Sequence, residues 1–275
     1  MVPAYHPYQT GKNMPEFVKQ QIESGVGRIT LNRPAKRNAL KRQFIEEIQL
    51  GITQLASDPS LRVLVLEAEG EVFCAGMDLG EMQQRAESEN GNDQWQRDSE
   101  VYADLLTAIY RLPVPTVAVV QGPVLAGGMG LILACDILLA SEVAFFMLPE
   151  PLRGITAAMV TPLLIHRVGC GPAGYMLLSC ERLTADRAMT FGLCHEVCPA
   201  DQLTQRRDKL IASILAGSPS ALAITKRHLD QCSQTAVLSD IKKSIAISAE
   251  ARETADAREG LAAFLEKRKP AWQPE

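Results

Sequence analysis

The chain has 275 residues, 47% of them apolar, with 28 Lys+Arg against 32 Asp+Glu. That length and apolar content allow one sizeable core. The mildly acidic balance excludes a general attraction for nucleic acid, so any strongly anionic ligand must be met by local groups. No run approaches the roughly 20 apolar residues of a membrane span. Residues 1–15, with Pro3, His6, Pro7 and Lys12 but no apolar run, read as an N-terminal tail rather than a signal peptide. Seven cysteines, an odd number and mostly in apolar settings, read as reduced thiols of a soluble cytoplasmic protein.

Residues 17–23 loosely alternate apolar with polar. Gly25 and Gly27 then make a turn into 28–32, so a hairpin is expected, ended by Pro34. Residues 42–57 carry Phe44, Ile45, Ile48, Ile52 and Leu55 at helical spacing, and Asp58-Pro59 stops the helix. The apolar run 63–68 has the length of a strand covered on both faces. Residues 86–98, rich in Glu, Asn, Asp and Gln, are expected as a mobile loop or frayed helix, and 101–112 as a helix. A second buried strand, 116–120, leads into the glycine-rich stretch 122–130, a helix through Cys135, and short strands at 137–140 and 144–148. Beyond Pro149, residues 156–191 and 201–268 are almost wholly helical in pattern, broken at Gly169, Gly171, Gly192 and Gly217. The expected fold class is α/β: a core over 16–200 and a helical C-terminal region over 201–275.

Three segments have the makings of a site. Val72–Leu79 follows the strand 63–68; a glycine there, Gly76, lets the backbone turn and present its amides, although Asp78 also suits a plain helix N-cap. Gln121–Gly130 follows the second buried strand and opens a helix, where free amides can face an oxygen that gains charge, although close backbone packing explains the glycines equally well. Met147–Pro151 holds Glu150 between two prolines at the end of an apolar strand. Burial there would raise its pKa and fit it for proton transfer; a surface turn is the plain alternative. Two loops offering an N–H each, with a fixed carboxylate downstream, are equipment for stabilising an enolate and moving a proton beside it.

In these segments, and over nearly its whole length, the chain resembles the crotonase (enoyl-CoA hydratase/isomerase) superfamily. Ile29–Pro34 with Asn38-Ala39-Leu40 is similar to that family's opening hairpin and CoA-contacting loop. Phe73–Leu79 and Gly127-Gly128 with Ala134–Ile137 resemble its two oxyanion-hole segments, and Pro149-Glu150 its catalytic glutamate. The resemblance implies a repeated ββα superhelix with a helical trimerisation region, and a homotrimer or dimer of trimers. It implies a coenzyme A thioester as substrate, without a separate cofactor or metal. The Ala75 and Gly127 N–H groups would hold the thioester oxygen, each contributing roughly 2.7–4 kcal/mol. Glu150 would transfer the proton. Arg33, Ala35, Lys36, Ala75, Gly76, Met77, Asp78, Leu79 and Lys267 would meet the CoA moiety, although a solvated helix end also accounts for Lys267.

One departure matters. Two-glutamate members carry a second glutamate three residues beyond the glycine equivalent to Gly127, where this chain has Gly130. Glycine cannot hold a water by a side chain, so on chemistry alone a Δ3,Δ2-enoyl-CoA isomerase with Glu150 as sole base is favoured. Against that, Gly127–Ile132 and Glu150–Gly169 resemble bacterial 3-methylglutaconyl-CoA hydratases and the related isohexenylglutaconyl-CoA hydratases. Hydration of a branched enoyl-CoA therefore stands first, with the isomerase and a non-catalytic acyl-CoA-binding relative as alternatives. Arg153 and His166 fall near Glu150 and are candidates for a distal substrate carboxylate, with surface or capping roles as the plain alternative.

Two other patterns carry less. Gly169–Gly174 fits G-x-G-x-x-G, yet a helix precedes it where a dinucleotide site needs a strand, so a helix–helix corner is expected. Cys194–Cys198 gathers possible metal ligands but lacks a second pair, and its alternation reads as a short strand with thiols facing the core.

Overall fold

The computed structural model describes residues 16–86, 91–233 and 236–273; the expected tail at 1–15 lies outside them. The hairpin is present as β1 (Val18–Glu23) and β2 (Val26–Leu31), antiparallel with Glu23 opposite Val26. Its two turn residues, Ser24 and Gly25, both have positive φ (51° and 82°), the twist a two-residue hairpin requires. Helix α1 (Arg42–Ala56) buries the apolar stripe expected of it, Phe44, Ile45, Ile48, Ile52 and Leu55. Each such side chain is worth about 1.5–3 kcal/mol when fully buried.

Strand β3 (Val63–Ala68) follows, then α2 (Leu79–Ala86) and α3 (Gly91–Arg111). Helix thus extends over 91–98, part of the stretch expected as a mobile loop or frayed helix; residues 87–90 of it lie outside the described residues. The polar residues there find partners: Asp98 is ion-paired to Arg42 and to Arg85 (2.8 Å), and Trp95 is 5% exposed. Tertiary pairing overrides a weak local preference. Strands β4 (Thr116–Val120) and β5 (Val124–Leu125) lead to α4 (Gly127–Leu133), every residue of which is buried. Then come β6 (Ile137–Ser141), β7 (Phe145–Met147), α5 (Thr161–Val168), α6 (Cys170–Ser179), β8 (Leu183–Thr184), α7 (Ala185–Thr190) and β9 (Glu196–Cys198). Helices α8 (Leu203–Leu215), α9 (Pro219–Cys232), α10 (Val237–Glu253) and α11 (Ala255–Leu265) complete the chain.

Six strands form one sheet in the order β1-β2-β3-β4-β6-β9, parallel from β2 onward. Both of its faces are covered. Leu64, Leu66, Ala118, Val120 and Leu138 enter the main core, while Val63, Val65, Val117, Val119 and Leu139 pack against Leu203 and Ile211 of α8. This two-sided burial accounts for the continuous apolar runs in the sequence. A second, smaller sheet, β5-β7-β8, is continued by single bridges from Val124 to Cys74 and from Met77 to Leu40. Each pass of the chain thus contributes one stretch to each layer, a repeated strand–strand–helix winding, and the loops that leave β3 and β4 lie side by side.

The Gly169–Gly174 segment is the corner between α5 and α6, with Gly169 at φ 76°. The Cys194–Cys198 segment runs into β9. Burial pushes the Cys194 thiol up to about 12, and His195 Nδ1 accepts the Leu138 N–H at 2.9 Å. Among the described residues, no helix is long and apolar enough to cross a membrane.

Candidate active site

The loop after β3 is held on both sides by backbone. Leu40 N–H donates to Gly76 C=O and Asp78 N–H to Leu40 C=O, both at 2.8 Å, and Leu125 N–H donates to Cys74 C=O at 2.9 Å. Gly76 has φ +90°, and a Cβ there would lie 3.1 Å from Leu125 O and 3.4 Å from Gly127 N. Only glycine brings the two loops this close without strain. Asp78 Oδ1 accepts the Gly80 N–H at 3.1 Å, capping α2, while Oδ2 pairs with Arg33 at 2.8 Å.

After β4 the chain turns at Ala126, a non-glycine residue at φ 49° whose N–H is held by Met147 C=O at 3.0 Å. Such a conformation persists only where neighbours enforce it. It delivers Gly127 as the first residue of α4, where a first-turn amide has no acceptor within the helix.

The first donor expected from the sequence requires correction. Ala75 N–H is donated to Arg37 C=O at 3.0 Å, so that amide is already engaged. Among the described residues, Met77 N–H and Gly127 N–H have no hydrogen-bond acceptor, and Met77 Cε would lie 3.3 Å from a Cβ on Gly127. The pair of amides offered by the two loops is therefore Met77 and Gly127.

Glu150 opens the short 3-10 turn Glu150–Arg153 after β7 and is 7% exposed. Its Oε2 has no hydrogen-bond partner among the described residues, and burial raises its pKa to about 7. An unpartnered buried carboxylate normally costs stability and is kept where it has chemical work. Met77, Gly127 and Glu150 all line one cavity of about 300 Å³, together with Ala75 and Leu79. Glu150 is the only acidic residue among the described residues that line it.

Several lining groups gave no local signal in the sequence. Tyr102, fully buried on α3, donates its hydroxyl hydrogen to Gly127 C=O. A Cβ added at Gly130 would collide with that hydroxyl and lie 3.1 Å from the ring carbon bearing it. Arg252 of α10 also lines the cavity. Its guanidinium donates to Ser99 Oγ at 3.1 Å and stands 5.1 Å from the Trp95 ring centroid. Among the described residues no carboxylate forms an ion pair with it, and desolvation lowers its pKa to about 10. Arg153, anticipated from its place near Glu150, lies over the Phe264 ring at 4.1 Å and lines the same cavity. A neighbouring cavity of about 290 Å³ is lined by both arginines as well. His166 instead packs edge-on to Tyr110, outside this lining.

Of the remaining expected CoA contacts, Arg33, Ala35, Lys36, Gly76, Asp78 and Lys267 lie outside the lining. The exposed Arg37 is part of it, and Lys267, also exposed, follows the lining residue Phe264 by three positions in the chain.

Two unengaged amides facing one cavity with a buried carboxylate define a site for polarising a carbonyl and moving a proton beside it. Residues 21–275 match the family described as enoyl-CoA hydratase/isomerase. The chain is 33% identical over 251 residues to a putative enoyl-CoA hydratase of Thermus thermophilus, covering 91% of this chain and 98% of that protein. It is 34% identical to the 2,3-dehydroadipyl-CoA hydratase of Escherichia coli, covering 88% and 92%. Among solved structures, an enoyl-CoA hydratase/isomerase from Xanthobacter autotrophicus superposes with a TM-score of 0.84 at 30% identity, covering 95% of this chain and all of that one. The protein belongs to the enoyl-CoA hydratase/isomerase family, has the crotonase fold and is an enzyme of that family.

Proposed function

We propose that the substrate is a branched 2-enoyl-CoA with a distal carboxylate, of the 3-methylglutaconyl or isohexenylglutaconyl type, and that Glu150 is its only catalytic carboxylate. The observation that carries this reading is the charge arrangement of the cavity: one acid, Glu150, and two desolvated arginines, Arg153 and Arg252, neither of them ion-paired to a carboxylate among the described residues. A desolvated cation is costly unless a ligand's negative charge completes it. The second cavity beyond the same arginines gives room for a longer acyl branch. The relative that hydrates 2,3-dehydroadipyl-CoA bears a name that fits an acidic acyl chain.

In this reading the Met77 and Gly127 N–H groups hold the thioester oxygen. The oxygen of a water bonds to Cβ, the C=C pair moves onto the thioester as an enolate, and the water's proton passes to Glu150. That proton then returns to Cα, so one H₂O is added and nothing is oxidised. Two free donors aimed at a developing oxyanion supply most of the stabilisation. Arg37, which lines the cavity, and Lys267 would meet the anionic CoA moiety, together with Arg33, Ala35, Lys36 and the 75–79 loop. Unpaired cysteines fit a reducing compartment, in our reading the cytoplasm. Helix α9 has no buried residue yet carries Ile224 and Leu229, 55% and 67% exposed, apolar side chains that a homotrimer or dimer of trimers would cover. Light scattering would measure that assembly.

The test is a panel of enoyl-CoA esters in H₂¹⁸O with mass detection. Glutaconyl-type esters should gain one ¹⁸O oxygen and turn over fastest. Double-bond migration without ¹⁸O would establish the isomerase instead, which a lone base also permits.

A further inference from the structure

The space in which a side chain at position 130 would stand is filled from another element. The hydroxyl of Tyr102 lies where a Gly130 Cβ would be, with Leu106 Cδ2 at 3.2 Å from the same point. Tyr102 lines the cavity with Glu150, and its hydroxyl spends its only hydrogen on Gly127 C=O. Its oxygen is left as an acceptor alone. We propose that the Tyr102 oxygen holds the attacking water, accepting one of its hydrogens while the Glu150 carboxylate accepts the other. A water gripped by both hydrogens presents a lone pair, and between these two groups that lone pair faces the substrate Cβ.

This assignment rests on the hydratase reading above and answers how one carboxylate serves a reaction that two-glutamate members perform with two. Tyr102 does not exchange a proton in it. Burial and the nearby Cys74 and Glu150 hold its pKa well above the usual phenol value, so the hydroxyl stays intact at every working pH. Glu150 alone takes and returns the proton, and Tyr102 orients the nucleophile. The hydrogen bond to Gly127 keeps the tyrosine acceptor-only and ties the water's position to the residue that supplies one oxyanion donor.

The experiment separates water positioning from a packing role. Tyr102→Phe keeps the ring and removes the oxygen. Two rates are measured on it and on the wild type: hydration of a glutaconyl-type ester, and exchange of the α-hydrogen of the corresponding saturated ester in D₂O. The second reaction needs Glu150 and the two amides but no water at Cβ. Hydration kcat should fall roughly ten- to hundredfold with KM little changed, while exchange stays near the wild-type rate. An equal fall in both rates would make Tyr102 a support of the oxyanion hole and overturn the assignment, as would unchanged hydration. A second pair guards against a variant that folds poorly. Tyr102→Ala with Gly130→Glu places carboxylate oxygens in the vacated space and should hydrate faster than Tyr102→Ala alone; equal rates would also overturn it. A wild type that exchanges but never hydrates would instead remove the hydratase reading beneath it.

Discussion

The Tyr102 hydroxyl donates to the carbonyl of Gly127, the residue whose own N–H faces the candidate thioester site. Helix α3 and the opening of α4 are thereby locked together at the cavity, and Gly130 is a consequence of that lock. Any Cβ at position 130 competes with the hydroxyl for the same space. Gly130→Ala is therefore expected to destabilise the fold by about 1–3 kcal/mol, the usual cost of overpacking. Tyr102→Phe in the same chain should recover part of that loss by removing the oxygen. Urea melts of the two single variants and the double variant measure the coupling.

Glu150 should lower stability at neutral and alkaline pH. Its folded pKa, about 7, lies above its ordinary value of 4.5, so the native state binds the proton more tightly than the unfolded chain. The native state's advantage is complete below about pH 4.5 and is lost as pH rises towards 7. Glu150→Gln, which cannot ionise, should thus be more stable than the wild type above pH 7, by up to about 3 kcal/mol. The two should converge near pH 4. Thermal melts across that range check the sign, and a gap that widened towards acid would contradict the assigned burial.

The arginine pair predicts discrimination by charge. Arg252→Met removes a desolvated cation that no carboxylate of the chain pairs with among the described residues, so folding should be little affected. On a glutaconyl-type ester kcat/KM should drop about ten- to hundredfold, the worth of a hydrogen bond to a charged group. On a neutral ester of the same length it should hardly change. Parallel kinetics on the two esters decide the matter; equal losses would give Arg252 a purely structural place.

The parts of this site visible in the sequence are those in which a short segment carries its own signal. Glu150 between prolines, Gly127 after a buried strand and the apolar runs of β3 and β4 all declare themselves within ten residues. What was hidden depends on distant chain. The Ala75 amide is engaged only because the 33–38 loop folds back and offers Arg37 C=O, which shifts the free donor to Met77. Tyr102 reads as one more core position of a helix, and nothing local ties it to a glycine 28 residues on. Arg252 reads as a solvated charge until α10 packs along α3 and buries it against Trp95. Residues 91–98 read as a mobile loop or frayed helix, and the helix is firm because Arg42 and Arg85 supply the charges that Asp98 needs.

The central claim is that one carboxylate, Glu150, carries the hydration. Its most direct test is the rate of ¹⁸O incorporation into a glutaconyl-type ester by Glu150→Gln beside the wild type, at subsaturating and saturating ester and across pH. The wild-type kcat/KM should rise through about pH 7 as Glu150 ionises. In Glu150→Gln that limb should vanish and turnover fall by about 10²–10⁴, with ester binding retained. A variant that kept most of its ¹⁸O incorporation would show that another group moves the proton.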